Sequence, residues 1–142
     1  MTKTYWGVTE GTPPVASGHV DHWLLKDRSR NTVRVVAPET PGARRARTDW
    51  RVLAHTGRRS LLELRPRTGR SHQLRVATSG LGMVLAGDLR YGAPEPLADR
   101  SIALHAYSLE LEHPVGAAPL RFTCSPPGLE VWDLAIDHTD PT

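Results

Sequence analysis

The sequence predicts an α+β fold: a mixed, largely antiparallel sheet with a central helix, in one domain over residues 1–142. Two observations predict it. Short runs of strand formers recur along the chain, separated by turns rich in Gly and Pro. Helix signals are confined to one central stretch and one near the end, and no repeat, low-complexity tract or linker divides the chain.

The elements follow in order. Thr4-Tyr5-Trp6-Gly7-Val8 is dense in strand formers. Gly11 to Gly18, with Pro13 and Pro14, reads as a loop. His19 to Leu25 is a second strand, closed by the polar run Lys26 to Asn31, and Thr32 to Ala37 is a third. Arg44-Arg45-Ala46-Arg47 then precedes a fourth strand, Thr48 to Leu53. The turn His55-Thr56-Gly57-Arg58-Arg59 feeds a fifth, Ser60 to Leu64, so that these two form an antiparallel hairpin with arginines at both ends. Leu104 to Leu111 alternates imperfectly and ends at His113-Pro114, and Leu120 to Thr123 is a last short strand. After Pro126-Pro127-Gly128, Leu129 to Ile136 reads as a terminal helix with Trp132 and Ile136 on one face.

The chain is organised around Leu61 to Tyr91. Its first strand is expected to stop at Arg65-Pro66-Arg67, because Pro66 has no N–H for a ladder. Thr68-Gly69 allows a tight turn. Ser71 is the expected N-cap of a short helix carrying Gln73, Leu74, Val76 and Ala77, which Gly80 and Gly82 end. Arg65, Arg67, Arg70 and Arg75 crowd this stretch, with Glu63 as the neighbouring acid. His72 and Arg75 share a helix face, while Leu74 and Ala77 point to the core. Cations at a helix N-terminus oppose its dipole, and a bound phosphate would relieve that conflict. The pattern suits an arginine-lined turn gripping phosphate.

Composition narrows the class. At 39% hydrophobic and 23% charged, the chain fits a soluble globular protein, and no apolar run approaches the ~20 residues of a membrane span. Met1 to Tyr5 lacks the apolar core of a secretory signal, and Cys124 has no second cysteine to pair with, so a reducing cytoplasmic setting is expected. Net charge is +3, and sixteen of the eighteen cations are arginine, whose planar fork suits phosphate.

These residues also carry a family resemblance. Thr68-Gly69-Arg70-Ser71-His72-Gln73-Leu74-Arg75-Val76, followed by Gly87-Asp88-Leu89-Arg90-Tyr91-Gly92, resembles the signature of the RluA class of RNA pseudouridine synthases. Lys3 to Gly11 resembles that family's tyrosine-bearing strand, Gly18 to Lys26 the segment after it, and Ile102 to Pro114 its late strand. The resemblance implies a sheet with a nucleic-acid cleft across it. It also implies isomerisation of uridine to pseudouridine in structured ribosomal or transfer RNA, which requires the base to be flipped into a pocket. It places the catalytic tyrosine on Tyr5 and the arginine that keeps the catalytic aspartate ionised on Arg75. It implies no cofactor, since the reaction is a rearrangement.

The family's nucleophile should lie in Arg-Leu-Asp, upstream of the tyrosine strand, and this chain has no such motif among its eight aspartates. Asp88 is nearest the site in sequence, but the resemblance assigns it to a structural turn. The expectation is therefore a pseudouridine synthase domain without its catalytic aspartate segment, inactive as this isolated chain. The alternative is a non-catalytic RNA-binding module on the same fold. Losing the first strands would expose a sheet edge open to self-association or to a complementing fragment.

Beyond Tyr5 and Arg75, the residues expected to touch RNA are Arg67, Arg70, His72, Gln73, Arg44, Arg45 and Arg47. His19-Val20-Asp21-His22 invites comparison with a metal site. On a strand, however, His19 and Asp21 share a face that His22 does not, so no metal is expected. Trp6, Trp23, Trp50 and Trp132 read as core anchors.

Overall fold

A computed structural model describes residues 2–111 and 120–138. His113-Pro114 and Asp140 lie outside the described residues. The described residues form seven strands: β1 (Thr2–Glu10), β2 (Ser17–Asp27), β3 (Thr32–Val36), β4 (Arg44–His55), β5 (Arg59–Pro66), β6 (Leu104–Leu111) and β7 (Leu120–Thr123). They form one sheet in the order β3-β2-β4-β5-β1-β6-β7, and all six described pairings are antiparallel. A helix α1 (Gln73–Gly80), a 3₁₀ turn (Leu89–Tyr91) and a 3₁₀ helix (Glu130–His138) complete the fold.

The middle of the sheet is covered on both faces, which explains the near-continuous apolar reading of β5. Val8 and Leu61, paired in register, share one face with Trp6, Tyr107 and Trp132. Trp6 stacks on Tyr107 with ring centroids 3.7 Å apart. Leu62 and Leu64 share the other face with Trp50, Leu74 and Met83, beneath α1. Trp6, Trp50 and Trp132 are buried and Trp23 half-buried. Toward β2, the α1 side continues through Leu24, Val33, Ala46 and Val76. On the opposite face the 3₁₀ helix packs against the end of β4, at Leu53 and Ala54, while the exposed alternate residues of β4 before it, Arg45, Arg47, Asp49 and Arg51, are charged.

Three local expectations need correction. Arg44, Arg45 and Arg47 belong to β4 rather than to a connection before it, because Ala46 and Thr48 are fully buried small residues that supply its inner face. β5, by contrast, stops where expected, with Pro66 its last residue, opposite Thr48. The helix is not capped by Ser71. Its N-cap is His72, in the left-handed region at φ 52°, and no side chain caps it. Gln73 instead reaches back to accept the Arg70 N–H at 3.1 Å, closing the turn from inside the helix. Lastly, Trp132 and Ile136 do not share a face. At three residues per turn a 3₁₀ helix aligns Trp132 with Ala135, both buried, and leaves Ile136 exposed.

Candidate RNA-binding hollow

Between the end of β5, the turn that follows it and α1 lies a hollow of about 580 Å³. β1 contributes Tyr5 and Lys3 to its wall, β6 contributes Leu104, and the turn contributes Arg67, Thr68 and Arg70. α1 and its cap contribute His72, Gln73, Leu74 and Arg75. Among the described residues, four cations and no carboxylate line it.

Arg75 is the most constrained of these cations. Its Nε and Nη2 donate to the two oxygens of Asp88, at 2.9 and 2.8 Å. Its Cζ lies 4.9 Å from the ring centre of Tyr91, in cation–π range. Its Nη1 lies 3.5 Å from His72 Nε2. Asp88 is 1% exposed and does not line the hollow, so it grips the arginine from behind. The bidentate bond to Asp88 raises the Arg75 pKa, fixing the guanidinium charge and its plane.

His72 is held by the same 3₁₀ turn. Tyr91 Oη accepts the Val33 N–H at 2.9 Å and lies 2.7 Å from His72 Nδ1. Burial, and then the charges of Arg75, Lys26 and Arg90, hold the His72 pKa below its ordinary value. A neutral imidazole therefore stands beside a fixed guanidinium. Arg90 ties the turn to the β2–β3 hairpin through the carbonyls of Arg30 and Asn31, at 2.6 and 2.9 Å.

Arg67 and Arg70 sit at the rim. Arg67 Nε donates to Asp49 at 2.7 Å, and Arg70 Nε donates to the Arg45 carbonyl at 2.9 Å. Both side chains are tethered through Nε, while the terminal nitrogens of both carry no hydrogen bond among the described residues. Tethering of this kind orients an arginine while leaving most of its donors for an anion.

The structure therefore brings Tyr5, Arg67, Arg70, His72, Gln73 and Arg75 to one hollow. It does not bring Arg44, Arg45 or Arg47 there. Gln73 lines the hollow, and its buried amide is spent within the protein. Nε2 donates to the Arg47 carbonyl and Thr48 Oγ1, at 2.8 and 2.9 Å, and Oε1 accepts from Thr68 Oγ1 and the Arg70 N–H. Gln73 builds the hollow by holding the turn against β4. His19-Val20-Asp21-His22 forms no cluster: Asp21 is held by Arg45, and His22 is half-buried with Nε2 unpartnered. The sequence reading placed Asp88 in a structural turn without its bond to Arg75, and it missed Lys3. Lys3 lies two residues before Tyr5, so strand alternation alone could have pointed to it.

A model of the RNA pseudouridylate synthase family matches residues 1–79. The chain belongs to the RNA pseudouridine synthase family. It is 43% identical over 113 residues to an uncharacterized RNA pseudouridine synthase of Zymomonas mobilis, a match covering 78% of this chain and 51% of that protein. Against the ribosomal large subunit pseudouridine synthase D of Vibrio cholerae it is 35% identical over 136 residues, covering 86% of this chain and 40% of that one. The human RNA pseudouridylate synthase domain containing 1 superposes with a TM-score of 0.74 at 27% identity, over 93% of this chain and 57% of that structure. The chain thus spans about half or less of the length of these curated relatives. Among the described residues of this synthase-family chain, no helix is long and apolar enough to cross a membrane.

Proposed function

We propose that this chain forms the base-receiving wall of an RNA pseudouridine synthase, acting on a uridine of structured ribosomal or transfer RNA. The observation that carries the reading is the meeting of Tyr5 and Arg75 in one cation-lined hollow. In that role the Tyr5 phenol lies against the flipped base, and Arg75 faces the position a catalytic carboxylate must take. Arg67, Arg70 and Lys3 draw in the phosphates on either side. No carboxylate lines the hollow among the described residues, so the chain by itself binds RNA without isomerising it.

Two measurements test this. Binding to a uridine-containing stem–loop RNA should weaken steeply with salt, and Arg67→Gln with Arg70→Gln should lower the slope of log affinity against log salt by about 2. Salt-independent binding overturns the reading. Release of tritium from RNA labelled at uridine C5 should be absent, and turnover by this chain refutes its inactivity.

A further inference from the structure

The face of the sheet away from α1 carries, beyond the part that the 3₁₀ helix covers, a second set of arginines. In register, Asp21 pairs with Arg47, Asp49 with Arg65 and Arg51 with Glu63, so alternate side chains of β2, β4 and β5 project together away from α1. Glu63 takes a bidentate grip from Arg51, both bonds at 3.0 Å, and a second contact from Arg65 at 3.2 Å. Asp49 likewise lies between Arg67 at 2.7 Å and Arg47 at 3.3 Å, and Asp21 receives both bonds of Arg45. Five guanidiniums thus share three carboxylates.

Stability accounts for only part of this lattice. The five arginine side chains are between 44% and 66% exposed, and the pairs with Asp21 and Asp49 contribute little to folding; Glu63, with its side chain 11% exposed, is the acid whose pairing offsets burial. What the pairs accomplish is orientation: each carboxylate holds one edge of a fork and leaves positive charge in excess. Arg51, Glu63, Arg65, Arg67 and Asp49 also line a groove of about 370 Å³. Arg67 lines both this groove and the hollow, so the cationic surface runs unbroken over the end of β5 from one face of the sheet to the other.

We propose that this lattice is a second RNA-contact surface, taking the sugar–phosphate backbone of the stem that flanks the uridine seated in the hollow. The inference rests on the proposed function and extends it to the RNA outside the site. Its ligand is a phosphodiester backbone rather than a base, because the surface offers guanidinium forks in rows, while Trp50, the aromatic residue among the described ones that line the groove, is buried.

The test uses the full chain with two probes: a long-stemmed uridine stem–loop RNA and an oligonucleotide of its loop alone. Arg51→Gln with Arg65→Gln should weaken stem–loop binding about tenfold and cut its salt slope by about 2, leaving the loop oligonucleotide unaffected. Glu63→Gln and Asp49→Asn should each tighten stem–loop binding, a gain that a damaged fold cannot produce. If the stem adds nothing to affinity, or the acid variants leave it unchanged, the inference falls while the hollow stands. If the stem binds and the loop does not, the hollow reading falls instead. A change in self-association with unaltered RNA binding would assign the lattice to a second copy of the chain and overturn the proposal.

Discussion

Arg75 with Asp88 beneath α1, and Arg45 with Asp21 on the uncovered sheet, make the same bond in different solvents. In both, Nε and Nη2 meet the two oxygens of one carboxylate, at 2.9 and 2.8 Å in the first pair and 3.0 and 2.8 Å in the second. The side chains of the first pair are 18% and 1% exposed; those of the second are 66% and 31% exposed. Water, not geometry, decides what each pair does. Under α1 the pair fixes where a cation stands. On the open face it holds a cation lightly and leaves it available.

The sharpest way to break that comparison is to remove one acid from each region. Asp88→Ala leaves the Arg75 guanidinium uncompensated beside an apolar core. Breaking a buried pair costs about 3–5 kcal/mol, and the partial exposure of Arg75 puts this one near the lower end. Urea unfolding should show a midpoint shift of matching size, with RNA binding at the hollow lost once Arg75 is no longer held. A shift no larger than that of a surface carboxylate variant would mean that water reaches Asp88, and the contrast would disappear.

How far this arrangement could be read from the sequence depends on what holds each part. The strands of the centre were legible because they alternate or run apolar, and the meeting of Tyr5 with Arg75 followed from the family resemblance. The first half of β4 was not legible, because Ala46 and Thr48 are too small and too polar to register as a buried face. Its packing depends on Gln73, which bonds Thr48 from twenty-five positions away. The helix start was misplaced for a related reason: a reaching glutamine, not a capping serine, closes the turn. Asp88 read as part of a turn because nothing local indicates a partner thirteen residues earlier. The 3₁₀ helix carries its burial at a period of three, which a 3.6-residue template reads one residue late.

A smaller effect separates the neutral histidine from the fixed guanidinium beside it. His72 has its folded pKa held below 6.5, chiefly by burial. The unfolded chain therefore binds more protons in the window below 6.5, and stability is full above that value and declines as pH falls through it. His22 is shifted the same way, again chiefly by burial. One such group contributes at most about 1.4 kcal/mol per pH unit, and the partial exposure of His72 reduces it to a fraction of that. His72→Asn keeps a residue that tolerates the left-handed region and removes the titration. Its unfolding free energy should fall less between pH 7 and pH 5 than that of the parent, with the His22 contribution remaining. Identical slopes in the two proteins would show that the imidazole titrates freely and is not held by the Tyr91 turn.

The smallest effect belongs to the other half of the comparison. Asp21→Asn removes the charge from the Arg45 pair and keeps the shape of the side chain. Asp21 has its pKa lowered, first by the Arg45 hydrogen bond, so whatever stability it contributes is present above 3.8 and lost as pH falls below it. At neutral pH the melting temperature should not move measurably, because both partners remain solvated whether or not they meet. What should change is the charge left over: with the acid neutralised, the affinity of the arginine face for a polyanion rises while the fold is untouched. A variant that melts earlier and binds no better would mean that this surface pair is structural after all, and that the two regions differ less than their exposures imply.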